Sequence, residues 1–122
     1  MPEAKSATRV LIIEDEPLLA LTLEDQLVDA GFEVVGVVGR VDTALAMIVS
    51  AVFDVAIVDA NLAGRSASPA ASALTARGIP FILLSGYSIE QLSDEFVGAH
   101  FIKKPCRPSQ LIQALRDIVL KH

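Results

Sequence analysis

The stretch Val10-Leu11-Ile12-Ile13-Glu14-Asp15-Glu16-Pro17 decides how the rest of the chain is read. Four apolar residues run straight into three acidic ones, and a proline follows where the first turn of a helix accepts it. Four later runs repeat the apolar part: Val34-Val35-Gly36-Val37-Val38, Val55-Ala56-Ile57-Val58, Phe81-Ile82-Leu83-Leu84 and Ala99-His100-Phe101-Ile102. The runs at 10–13, 55–58 and 81–84 are apolar at every position. Strands buried on both faces of a parallel sheet read this way, and half-exposed hairpin strands do not.

The stretches between the runs read as helices. After Pro17, Leu19, Leu23 and Leu27 recur at four-residue spacing, and Gly31 can supply a left-handed stop. A second helix, capped by Asp42 or Thr43, carries Ala44, Leu45 and Ile48 to about Ala51. A third runs from about Pro69 to Arg77 and ends at Gly78, and a short fourth covers about Ile89 to Phe96. The last begins at Pro108 with Leu111, Leu115 and Ile118 on one face. Alternating strands and helices with right-handed crossovers predict an α/β fold, a three-layer α/β/α sandwich around a five-stranded parallel sheet.

Size and composition narrow the classes. A chain of 122 residues is one domain's worth, and 52% hydrophobic against 20% charged residues can bury a core. A net charge of −5 argues against a nucleic-acid partner and against an anionic membrane surface. The lone Cys106 cannot form an intramolecular disulfide, which fits a reducing compartment. Residues 1–8 carry Glu3 and Lys5 without an apolar signal core, so they read as an N-terminal extension to a domain at 9–122, and the expected location is cytoplasmic.

Ligand sites in such sheets lie beyond the carboxyl ends of the strands. There the first run meets Glu14-Asp15-Glu16, the third Asp59, the fourth Ser85 and the fifth Lys103-Lys104-Pro105, while the second meets Gly39-Arg40 without evident chemistry. Singly, each has an ordinary explanation: acidic residues favour a helix start, an Asp after a strand caps a turn, a Ser before Gly makes one, and an edge Lys is solvated. Together they differ. Carboxylates converging from neighbouring strands repel one another unless a cation sits among them, and an all-oxygen set suits Mg²⁺. Lys104 would add a second positive charge, leaving room between for a dianionic phosphoryl group.

These residues carry a resemblance. Ile12-Ile13-Glu14-Asp15-Glu16-Pro17, Val58-Asp59-Ala60-Asn61-Leu62, Leu84-Ser85-Gly86-Tyr87 and Phe101-Ile102-Lys103-Lys104-Pro105 resemble, in that order, the motifs of bacterial two-component response regulator receiver domains. The resemblance spans about Arg9 to Lys121 and implies a flavodoxin-like sheet of strand order 2-1-3-4-5. It implies that Asp59 is the phosphoacceptor, with Asp15, Asp59 and the Asn61 backbone carbonyl holding Mg²⁺ and Glu14 in the metal's outer shell. Lys104 would pair with a phosphoryl oxygen, and the Lys104-Pro105 bond would be cis. Ser85 would be the switch hydroxyl and Phe101 the switch aromatic, although the residues alone leave Phe101 equally readable as core. Tyr87 would belong to the switching face, made by the fourth helix, the fifth strand and the last helix.

The implied partner is a sensor histidine kinase or histidine phosphotransfer protein. The output would be a protein target or a homodimer through the switching face. The domain would catalyse only its own phosphorylation and dephosphorylation. Because the last helix ends the chain, a single-domain regulator is expected. Ser85-Gly86-Tyr87 also resembles the Thr-Gly-X-Tyr-like signature of an alphaproteobacterial subgroup, with Ser for Thr and the Tyr one residue early. Two further departures stand out: Ala63 where many members have proline, and a short 19-residue interval from Ser85 to Lys104. The rival readings are a pseudo-receiver, which binds protein without taking phosphate, and an aspartyl-phosphate hydrolase of the haloacid dehalogenase type. The hydrolase family places its nucleophile after the first strand with a second Asp two residues on, whereas here Asp15 is followed by Glu16-Pro17. His100 and Cys106 have no partner residues in sequence that would make them ligands or nucleophiles.

Overall fold

A computed structural model of the chain describes residues 7–87, 96 and 99–121. In chain order the elements are β1 (Arg9–Ile13), α1 (Pro17–Asp29), β2 (Glu33–Val38), α2 (Val41–Ser50), β3 (Val55–Asp59) and β4 (Asn61–Leu62). β5 (Arg65–Ser66), α3 (Ser68–Ala76), β6 (Phe81–Ser85), β7 (His100–Lys103) and α4 (Pro108–Lys121) follow. The predicted fourth helix, apart from Phe96, lies outside the described residues.

The main sheet has the order β2-β1-β3-β6-β7, all parallel. Counting only its own strands, this is the expected order 2-1-3-4-5. Side-chain alternation along the strands sorts the core into two layers. Val10, Ile12, Val55, Ile57, Ile82, Leu84 and Ile102 pack with Leu23 and Leu27 of α1 and with Leu111, Leu115 and Ile118 of α4. Leu11, Ile13, Ala56, Val58, Phe81 and Leu83 face the other way, onto Ala44 and Ile48 of α2 and Ala70, Ala71 and Leu74 of α3. All five residues of β3 are buried, as are all five of β6, which is why positions 55–58 and 81–84 are apolar without alternation.

The helix limits follow local chemistry. Pro17 opens α1, and Gly31 and Gly78 take the positive φ (94° and 70°) that a chain needs to leave α1 and α3. The cap expected at Asp42 or Thr43 is not there, because α2 begins at Val41 and Arg40 holds the cap position. Asp42 instead accepts from the Arg40 guanidinium at 3.0 Å and from the Thr43 N–H at 2.8 Å.

One element was not expected from the sequence. β4 and β5 form a small antiparallel hairpin, with Asn61 opposite Ser66 and Leu62 opposite Arg65. Its two central residues, Ala63 and Gly64, both have positive φ (52° and 85°), the combination that two-residue hairpins favour. Glycine takes this conformation freely, but an L-residue with a Cβ is strained by about 1–2 kcal/mol. Ala63→Gly is therefore expected to raise stability by about 0.5–1 kcal/mol after glycine's larger unfolded-state entropy is subtracted. Urea unfolding monitored by circular dichroism measures it, and a loss of stability would contradict the strain.

Candidate functional site

The alternation that sorts the core also builds the site. Val10 and Ile12 point toward α1 and α4, and the next residue of that parity is Glu14. Val55 and Ile57 lead in the same way to Asp59, and Ile102 leads to Lys104. Backbone pairing continues past the strand ends and holds these residues in register. The Glu14 N–H donates to the Val38 carbonyl at 2.9 Å, and the Lys104 N–H donates to the Ser85 carbonyl at 2.8 Å. The Lys104-Pro105 peptide bond is cis.

Three carboxylates and one ammonium meet as a result. Lys104 Nζ lies 2.7 Å from Asp59 Oδ2 and 3.3 Å from Glu14 Oε1. Glu14, Asp15 and Asp59 each offer an oxygen, and the three lie within 4.8 Å of one another. Glu14 and Asp59 are buried, at 3% and 6% exposure, while Asp15 is half-buried. Backbone donors restrain each carboxylate: Glu16 N–H to Glu14 Oε2 at 3.1 Å, Asn61 N–H to Asp59 Oδ1 at 3.1 Å, and Ala63 N–H to Asp15 Oδ2 at 2.9 Å.

The charges respond to this crowding. Burial pushes the Glu14 carboxyl up to about 7, against the pull of the Glu16 N–H, and the Asp59 charge adds to the rise. Burial works against the Lys104 charge too, but the hydrogen bond and charge of Asp59, with the charge of Glu14, outweigh it and raise the ammonium above its ordinary value. One ammonium does not neutralise three carboxylates, so the donor set is short of positive charge. Hard oxygen donors with that deficit fit a small divalent cation of the Mg²⁺ type.

The other candidates lie around this cluster. Ser85 is buried at the end of β6, and its Oγ accepts the Tyr87 N–H at 3.0 Å. Tyr87 itself is 59% exposed. Phe101 is half-buried against the α2–α3 side of the core, on the same sheet face as Leu83. Asn61 is exposed in the hairpin. Among the described residues, then, Glu14, Asp15, Asp59 and Lys104 are brought together, while Tyr87 and Phe101 stand outside their hydrogen-bonded set. His100 is exposed, and burial pushes the Cys106 thiol up, away from the thiolate that would make it reactive.

Gly39 was passed over in the sequence although it packs against Asp15. A Cβ there would lie 3.1 Å from the Asp15 Cα and 3.4 Å from the Glu14 carbonyl oxygen. A glycine directly after the run at 34–38 was its only signal.

A family model described as the response regulator receiver domain matches residues 10–116. The chain is 31% identical over 118 residues to the transcriptional regulatory protein PdtaR of Mycobacterium tuberculosis, covering 93% of this chain and 57% of that protein. It thus spans little more than half the length of that curated relative. A CheY-like receiver domain from Methanospirillum hungatei JF-1 superposes with a TM-score of 0.85 at 25% identity, covering 95% of this chain and 96% of that one. The BeF3-activated conformation of SdrG from Pseudomonas melonis Fr1 gives a TM-score of 0.77 at 39% identity, covering 94% and 99%.

The raised Glu14 pKa has a consequence for stability. In the unfolded chain this carboxyl titrates near 4.5, and in the folded metal-free protein near 7, so between those values the folded state binds more protons. Its contribution is present below the lower value and is lost as pH rises through the upper one. Melting in chelator from about pH 5 to 7.5 is expected to show a falling Tm in the wild type relative to Glu14→Gln. A difference that stays flat or rises would contradict the assignment.

Proposed function

The chain belongs to the response regulator receiver family, a signalling domain of two-component systems and not a classical enzyme, and from that premise we propose that Asp59 accepts a phosphoryl group from a partner's phosphohistidine. The observation that carries the reading is the contact of Lys104 Nζ with Asp59 Oδ2 at 2.7 Å inside a cluster of three carboxylates. In the proposed step an Asp59 carboxylate oxygen attacks phosphorus, the phosphorus–nitrogen bond breaks, and its electron pair stays with the donor imidazole, which takes up a proton. The product is an acyl phosphate. Water attacking phosphorus later releases inorganic phosphate and restores the carboxylate.

Lys104 is held where it can exchange its Asp59 contact for an equatorial phosphoryl oxygen, a charge-assisted bond in a partly desolvated site. Asp15, Asp59 and the Asn61 carbonyl would hold Mg²⁺, with Glu14 in the outer shell. Bound there, the ion supplies neutralisation of phosphoryl charge. Glu14 and Asp15 in turn place negative charge around that position, which raises its affinity for a cation.

The signal is proposed to leave through Ser85, Phe101 and Tyr87. Ser85 and Phe101 lie on adjacent strands, β6 and β7, so a hydroxyl drawn toward a phosphoryl group would unpack its neighbours on that face. The kinase or phosphotransfer partner, a protein target or a second copy reading this face, a cytoplasmic location and a place in the Thr-Gly-X-Tyr-like subgroup complete the proposal. No helix among the described residues is long and apolar enough to cross a membrane.

Incubation with a small acyl phosphate donor and Mg²⁺, followed by intact mass measurement, is expected to show one acid-stable, base-labile phosphoryl adduct. Asp59→Asn is expected to lose the adduct while keeping its fold. A wild type that stays unmodified with both small donor and kinase would make the chain a phosphorylation-independent binding module instead.

Beryllofluoride gives a second test, since a relative has been solved in its BeF3-activated conformation. Amide exchange is expected to change around Tyr87, Phe101 and α4 more than in α2. Changes confined to α1 and α2 would favour a plain phosphate relay without a switch.

A further inference from the structure

Glu14 and Asp59 are both held by Lys104, but among the described residues no ion pair reaches Asp15. A cation site with few protein ligands needs each one fixed, because Mg²⁺ tolerates little departure from its preferred geometry. What fixes Asp15 comes from two places that the proposed function leaves unused. Its Oδ2 accepts the Ala63 N–H at 2.9 Å, from the turn of the β4–β5 hairpin. Its backbone is backed by Gly39, where any Cβ would stand 3.1 Å from the Asp15 Cα.

We propose that Gly39 and the β4–β5 hairpin are positioning elements that set the spacing of Asp15 and Asp59 for a divalent cation. The inference rests on the reading of this pocket as a cation site. Its core is that one hairpin holds both carboxylates, although they come from different strands. The Asn61 N–H holds Asp59 Oδ1 at 3.1 Å, and two residues on the Ala63 N–H holds Asp15 Oδ2. The turn between is locked in its own right, because the Asn61 side-chain Oδ1 accepts the Gly64 N–H at 2.9 Å. The hairpin therefore acts as a ruler: any change in its turn moves the two donors on which the carboxylates rest. On the β2 side the missing Cβ of Gly39 leaves the Asp15 backbone the room it occupies, so a larger residue there would displace it.

The substitutions whose Mg²⁺ affinity tests this leave every carboxylate in place. Asn61→Ala removes only the side-chain lock on the turn, at an exposed residue whose backbone groups remain. Gly39→Ala inserts a methyl group against the Asp15 backbone. Mg²⁺ titration of the full chain by calorimetry or amide chemical shifts is expected to show about ten-fold weaker binding for each, as for the loss of groups that orient metal ligands elsewhere. For Gly39→Ala, phosphorylation at saturating Mg²⁺ is expected to stay within about two-fold of wild type, because the acceptor and Lys104 are untouched. Ala63→Gly keeps the N–H donor and the positive φ and is expected to retain wild-type affinity.

Amide exchange gives a readout independent of binding. The Ala63 N–H is expected to be protected in the metal-free protein and to lose that protection in Asp15→Ala. If wild type binds Mg²⁺ and Asn61→Ala binds it equally well, the positioning role is overturned while the cation site stands. Should Gly39→Ala fail to fold, Asn61→Ala and the Ala63 exchange decide the matter alone. A wild type that binds no Mg²⁺ overturns the cation reading itself, and the positioning role falls with it.

Discussion

Among the described residues, three carboxylates are packed at one end of the sheet with a single ammonium among them, and two of the three are almost wholly buried. Left bare, such an arrangement would oppose folding, because removing charge from water costs several kcal/mol for each ion that lacks a partner. The structure answers in two ways: Lys104 takes both buried carboxylates, and Glu14 retains its proton to unusually high pH. Neither answer is complete, and the residual demand for positive charge is what makes the cluster a site. A cation arriving here enters an electrostatic field that favours it.

The sheet supplies this arrangement through parity. The strand positions that put Val10, Ile12, Val55, Ile57 and Ile102 under α1 and α4 carry Glu14, Asp59 and Lys104 to the same side of the carboxyl edge. The opposite parity takes Leu83 and Phe101 to the α2–α3 side, with Ser85 next along β6. The charged cluster and the hydroxyl–aromatic pair are thus built on the two faces of one rigid element. The backbone bond from Lys104 to Ser85 links them. In a close-packed interior a small displacement at such a joint is not absorbed locally.

Much of this could be read from the residues in order. Uninterrupted apolar runs identify the buried strands, and Pro17, Gly31 and Gly78 mark where helices begin and end, because each effect is local to its own backbone. Glu14, Asp15, Asp59 and Lys104 were legible as a set because each follows a strand, and a parallel sheet gathers strand ends. What escaped depends on contacts between distant segments. The start of α2 was placed late because Asp42 spends its carboxylate on Arg40 and Thr43 instead of serving as the cap. Gly39 looked empty because its value lies in what its missing Cβ leaves room for, the backbone of Asp15. The hairpin was invisible because its first turn residue is alanine, which does not announce a positive φ as glycine or asparagine would.

That alanine also changes the meaning of a departure noted in the sequence. Many receivers carry proline where this chain has Ala63. A proline has no N–H to donate, and its ring holds φ near −65°, so it could neither bond Asp15 nor occupy a turn at 52°. Here the backbone turns the other way, and strain at Ala63 accompanies a hydrogen bond to an acidic residue of the pocket. Strain at a single residue persists only where the surroundings over-determine it. Around Ala63 they do: Asn61 closes the turn onto Gly64, Asn61 and Ser66 pair across the hairpin, and Asp15 accepts the strained residue's own N–H. The loss of a common proline is therefore not a gap in the site. The alanine keeps an N–H that a proline would lack, and that N–H bonds the carboxylate after the first strand.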